Sequence, residues 1–187
     1  MRRLALTAAL ALIAAPAFAH TGHSVGGLVD GALHPMLGLD HLLAMVAVGL
    51  WAAQLQGRLW LLPATFMGAM AVGAGLALAG FEMPLVETGI SGSIIVLGLA
   101  VAIGKRIPAA AAMGVVVAFA LFHGFAHGAE MPELASPALY GLGFLAATGA
   151  LHLAGVFGGL AATRLSAIAL RAAGGAITLA GAALLLT

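Results

Sequence analysis

The 187-residue chain contains no cysteine, and only 7% of its residues are Asp, Glu, Lys or Arg. Without thiols there can be no disulfides, no thiolate metal site and no iron–sulfur cluster, so any bound metal must be held by nitrogen and oxygen. Soluble domains carry about a quarter charged residues; with so few here, no separate soluble domain fits. Six acidic and seven basic residues give a formal charge of +1, too small to call for a nucleic-acid partner. Neither a G-x4-G-K-[ST] nor an H-E-x-x-H string occurs, which removes a P-loop nucleotide site and the common zinc-hydrolase motif. What remains is hydrocarbon: 63% hydrophobic residues and a mean hydropathy of +1.17. Such a chain is an integral, multi-pass membrane protein, its partner the lipid bilayer.

Residues 1–19 read as a cleavable signal peptide. Arg2 and Arg3 form the basic start, an apolar run follows, and Ala17-Phe18-Ala19 fits a small-residue cleavage site. An uncleaved first helix is the alternative, disfavoured by Pro16. Cleavage would place a new N-terminus at His20 outside the cytoplasm. His20 and His23, with the freed α-amine, could then act as a metal-capture arm or simply as a polar terminus.

Residues 20–187 form one domain with an all-α architecture. Apolar stretches at 33–53, 59–80, 85–104, 107–128, 138–158 and 165–186 are each long enough to cross a bilayer, giving six transmembrane helices. From an outside start, the first, third and fifth connections carry Arg58, Lys105, Arg106 and Arg164 without an acid. The second and fourth carry Glu82, Glu130 and Glu133 without a base. This is a positive-inside pattern, placing both mature termini in the periplasm of a bacterial inner membrane. Arg171 enters the last span from the cytoplasmic side and is expected to snorkel there. The glycines, among them Gly68, Gly75, Gly141, Gly143, Gly174 and Gly175, are expected mostly to serve close helix packing.

Against this background two polar clusters stand out, His34-x5-Asp40-His41 and Phe122-His123-Gly124-Phe125-Ala126-His127-Gly128-Ala129-Glu130. Ionisable side chains in a membrane are costly and usually face a cavity, a partner or a pathway. At 100° per residue His34 and His41 fall within about 20° of one another on a continuous helix. Asp40 lies off that stripe, so either the helix is distorted near Pro35 and Gly38 or Asp40 serves from the side, orienting a ligating imidazole. His123, His127 and Glu130, at i, i+4 and i+7, align as ligands for a divalent cation. Gly124-x3-Gly128 should let another helix approach and bring ligands of its own. Topology puts both clusters at the outer level, where Glu87 could complete a site, move a proton or merely mark the interface. His152, deep in the fifth span, is read first as an interhelical hydrogen-bonding residue and second as an inner relay.

The two strings resemble the H-x5-D-H and F-H-G-x-A-H-G-x-E signatures of the HupE/UreJ family of nickel and cobalt permeases. Signal, span number and length agree as well. The resemblance implies secondary uptake of Ni2+, or Co2+, into the cytoplasm for hydrogenase or urease maturation, with the ion as cargo and no prosthetic group. It carries over His34, Asp40, His41, His123, His127 and Glu130 as transport-critical positions, with no catalytic residue. Residue chemistry favours the four histidines as nitrogen donors and the two carboxylates as charge balance. Imidazole alone does not choose between nickel and cobalt. An intramembrane metal-dependent hydrolase and a haem-b carrier ligated by His41 and His123 are the rival readings. No oligomeric state follows from the sequence.

Overall fold

The structure, a computed structural model, describes residues 27–55, 57–131 and 136–186. The expected signal peptide, His20, His23 and Glu133 lie outside the described residues. Seven α-helices and no strand are found among those described: α1 Leu28–Leu37, α2 Leu39–Gln54, α3 Leu61–Leu78, α4 Val86–Ile103, α5 Ala109–Ala129, α6 Pro137–Leu165 and α7 Ala167–Leu185. Helices α3 to α7 are long and apolar enough to cross a membrane, and α1 with α2 make a sixth candidate span broken by an 84° bend. Exposed Val72, Leu142, Phe157 and Leu179 give the bundle the apolar exterior that a lipid environment requires.

The first span is therefore broken at Gly38, the distortion near Pro35 and Gly38 that the phase of Asp40 allows, and not the continuous helix on which His34 and His41 would share a face. Gly38 is extended, with φ −84° and ψ 115°, and serves both as the end of α1 and as the N-cap of α2. The local chemistry favours a new start there. Asp40 sits in the first turn of α2, where a negative charge meets the positive end of the helix dipole. Its Oδ1 accepts a hydrogen bond from the His41 backbone N–H at 2.8 Å. A Cβ on Gly38 would lie 2.8 Å from that same Oδ1, so the bend also uses the missing side chain. At the other end of α1, Asp30 Oδ2 accepts from the backbone N–H of Gly27 at 3.2 Å, marking the start of the helix.

Close helix pairs hold the bundle together, and the largest contacts join α3 to α5, α4 to α7, and α6 to both α1 and α2. Gly124 and Gly128 on α5 face the backbone of Met70 and Ala74 on α3, with no room for a side chain. Gly143 fits against Leu28, and Gly174 against Gly98 and Ala102. Gly68, Gly75, Gly141 and Gly175, by contrast, have nothing nearby, so the packing role expected of them does not hold. Helix α6 runs past its expected end at 158, because Gly158 is tolerated in the helix and Gly159 packs on Leu50 and Ala53 of α2.

Arg58, Lys105, Arg106 and Arg164 lie in or beside the connections at one end of the helices, whereas Glu82 and Glu130 lie at the other. Arg171 Nη2 donates to the Ile103 carbonyl at 2.7 Å, and Gln54 Nε2 to the Val101 carbonyl at 2.8 Å. Both satisfy carbonyls that the last turn of α4 leaves without helical partners. Arg171 thus reaches the basic end as expected, with a specific capping task there.

Candidate metal centre

The bend at Gly38 decides where the first cluster goes. His34 comes from α1 and His41 from the first turn of α2, and both reach His127 of α5. The His34 and His127 ring centroids are 4.9 Å apart, those of His41 and His127 4.0 Å, and those of His41 and His123 4.8 Å. The two motifs are therefore one assembly of four imidazoles. It is not built from a shared helical stripe in its first half, since the seven-residue phase of His34 and His41 is broken between them.

Glu130, the C-cap residue of α5, faces this assembly. Its Oε2 lies 3.3 Å from His34 Nε2. His34, His127 and Glu130 each present one ligand atom, all within 4.8 Å of one another, a grouping able to hold a metal ion. The side chains of His34 and Glu130 are 32% and 52% exposed, whereas His127 is 4% and His123 0% exposed. Donors thus form a ladder from surface to interior. A cleft of about 260 Å³ opens onto its upper rungs, lined by His34, Leu37, Gly38, Asp40, His41 and Glu130.

Hydrogen bonding fixes which nitrogen each ring can offer. Asp40 Oδ1 lies 2.8 Å from His41 Nδ1, and an ionised carboxylate only accepts, so Nδ1 carries the proton. His41 Nε2 is then the lone-pair nitrogen, and it is buried without a hydrogen-bond partner. Ser93 of α4 donates its hydroxyl proton to the Ile90 carbonyl at 2.6 Å, and its oxygen lies 2.7 Å from His123 Nε2. That oxygen accepts from Nε2–H, leaving His123 Nδ1 as a buried, unpartnered lone pair. Both ring nitrogens of His127 are buried and unpartnered as well. Buried polar atoms normally have partners, so the unpartnered nitrogens of His41, His123 and His127 are lone pairs that could serve a cation.

Sequence reasoning did not find Ser93. A hydroxyl in an apolar span is a usable signal, but nothing in the sequence says that it faces His123. Phe144 packs on His127 with ring centroids 4.1 Å apart, and Phe66 on His123 at 5.5 Å. Neither aromatic differs in sequence from an ordinary core residue. The close α3–α5 packing expected from Gly124 and Gly128 is present, yet α3 brings Phe66 and Met70 rather than further imidazoles or carboxylates. Glu87 is exposed in the first turn of α4 and, among the described residues, makes no hydrogen bond or ion pair with the cluster. His152 is 1% exposed, and its Nδ1 donates to the Thr148 carbonyl at 2.9 Å. That bond is within α6, not between helices as the sequence suggests. His41 and His123 stand edge to face, closer than two imidazoles on opposite sides of a porphyrin, so they do not form a bis-histidine haem pocket.

A bundle of span-length apolar helices with an imidazole–carboxylate cluster near its acidic end defines a polytopic membrane protein. Residues 8–184 match the family described as HupE / UreJ protein. The chain is also 46% identical over 191 aligned positions to Protein HupE of Rhizobium leguminosarum bv. viciae, an alignment that covers 99% of each. The chain belongs to the HupE/UreJ family, a family of transporters associated with nickel and cobalt uptake. No solved structure matches it.

Proposed function

We propose that this chain is a secondary permease that carries Ni2+, or alternatively Co2+, from the periplasm to the cytoplasm for hydrogenase or urease maturation. The observation that carries this reading is the convergence of His34, His41, His123 and His127 at one end of the bundle, with lone-pair nitrogens free on His41, His123 and His127. Imidazole with carboxylate is a donor set suited to nickel and other late first-row divalent ions. Asp40 and Glu130 offset the ion's charge, and Asp40 holds the His41 tautomer as carboxylates do around metal-bound histidines. Charge supports the proposed direction: basic residues gather at the end away from the cluster, which by the positive-inside rule would be cytoplasmic, so the cluster would load from outside. An inner-membrane location and a cleaved signal peptide belong to the same reading.

Transport requires a site that dehydrates the ion yet releases it. The ladder of donors supports this. Glu130 and His34 can meet the hydrated ion at the cleft, and His41, His127 and His123 can replace water ligands one at a time as the ion moves inward. Because each imidazole must be deprotonated to bind, protons compete with the ion during loading.

Uptake of radiolabelled Ni2+ or Co2+ into proteoliposomes tests the proposal. Saturable flux is expected for the natural chain, reduced by at least about 10-fold in His41→Ala and His123→Ala, the loss typical of disturbing a metal's ligand set. Absence of saturable flux of either ion would overturn the permease reading. Metal-dependent hydrolysis by the purified protein in place of flux would assign the cluster to an intramembrane hydrolase.

A further inference from the structure

Below the four-histidine assembly the bundle contains one more imidazole that the site does not use. His152 lies about midway along α6, roughly 20 Å from its acidic end at ~1.5 Å per residue. Its Nδ1–H is committed to the Thr148 carbonyl, which leaves Nε2 as the lone-pair nitrogen. That nitrogen is fully buried and has no hydrogen-bond partner, and the same is true of the Thr148 hydroxyl one turn away. Two orphaned polar atoms on one face of one helix are costly among apolar neighbours. A purely structural histidine would need only the bond its Nδ1 already makes.

The surroundings connect this pair to the cluster. Phe66 is fully buried, and its ring packs on His123 at 5.5 Å and on His152 at 5.3 Å. One aromatic ring therefore lies against both the deepest imidazole of the cluster and the next imidazole inward. Helix α2 is held tightly along the same stretch, because Gly49 lies against the His152 carbonyl and the Gly155 Cα. The His152 side chain is thus presented from a firmly packed backbone.

We propose that His152 Nε2 supplies a second, weaker divalent-cation station on the inner side of Phe66. This inference rests on the permease reading. The station receives the ion from His123 and passes it toward the basic end. With one imidazole against four, it binds less tightly than the outer assembly, which suits a site that must release its ion quickly.

Equilibrium binding of Ni2+ to the purified full chain, paired with flux of the same ion in proteoliposomes, tests this. The natural chain should bind a tight and a weak equivalent. His152→Asn keeps an amide N–H where Nδ1–H bonds the Thr148 carbonyl but removes Nε2. It should keep the tight equivalent, lose the weak one and slow flux by about 10-fold, the size of effect that loss of a group supporting a metal can produce. His152→Gln removes the same nitrogen and serves if His152→Asn fails to fold. Saturable transport by a natural chain that binds only one equivalent would overturn the inner station and leave the permease reading intact. Flux and stoichiometry unchanged in His152→Asn would overturn it as well. No binding and no flux by the natural chain would remove both.

Discussion

Ser93 has a single hydroxyl proton, and where it goes decides which nitrogen of His123 carries the free lone pair. Donation to the Ile90 carbonyl makes the Ser93 oxygen an acceptor for His123 Nε2–H, so the lone pair sits on Nδ1, in the ring that meets His41. Asp40 performs the matching task for His41 by taking Nδ1–H and freeing Nε2. Ser93→Ala should therefore leave the fold intact while removing the tautomer preference of His123 and leaving Nε2 without a partner. The expected effect is a loss of about 10- to 100-fold in Ni2+ affinity, as for other groups that orient metal-bound histidines. A calorimetric titration checks this, with circular dichroism confirming the helices. Unchanged affinity would mean that the Ser93 contact does not govern the ligand atom.

At the scale of elements, the close pairing of α3 and α5 positions His123 and His127, and at Gly124 an added side chain would meet the Met70 backbone. Gly124→Val would push its side chain into the Met70 backbone, and overpacking of this kind costs about 1–3 kcal/mol. Gly68→Ala, on the open side of α3, should instead be neutral or stabilising by up to about 1 kcal/mol, since alanine is the better helix former. Thermal unfolding in detergent should separate the two variants. Equal midpoints would remove glycine packing as the cause of the α3–α5 contact. Hydropathy and turn residues make α3, α4, α5 and α7 legible to within a few residues, because each is a run of bilayer length bounded by charge, Gly or Pro. The bend at Gly38 is not legible in the same way. Pro35 and Gly38 permit a break, but the 84° angle depends on Asp40 starting α2 and on Tyr140 and Gly143 of α6 receiving α1. Hence the members of the site are readable from their residue types, whereas the way His34 and His41 converge is not. Ser93 and Phe66 escape for the same reason: their roles come from neighbours on other helices.

For the whole molecule, the polar features are ordered along one axis. The carboxylate and imidazole donors begin at the acidic end, become steadily more buried toward His123, and give way below Phe66 to His152. The basic connections close the far end. The direction of transport depends on which end faces the cytoplasm, and the feature the chain lacks provides the way to find out. With no native cysteine, a single introduced thiol is the only one that can react. Glu82→Cys lies in the connection between α3 and α4, and Lys105→Cys in the connection between α4 and α5, so α4 separates the two positions. Both are exposed, and neither belongs to the imidazole assembly. If Arg58, Lys105, Arg106 and Arg164 set the orientation, a membrane-impermeant maleimide applied from the side opposite the cytoplasm should label Glu82→Cys at once. Lys105→Cys should react only after the membrane is opened. The reverse pattern would place the four-histidine assembly on the cytoplasmic side, where the same ladder of donors would load an ion for export, and the uptake direction would fall while the metal site stood.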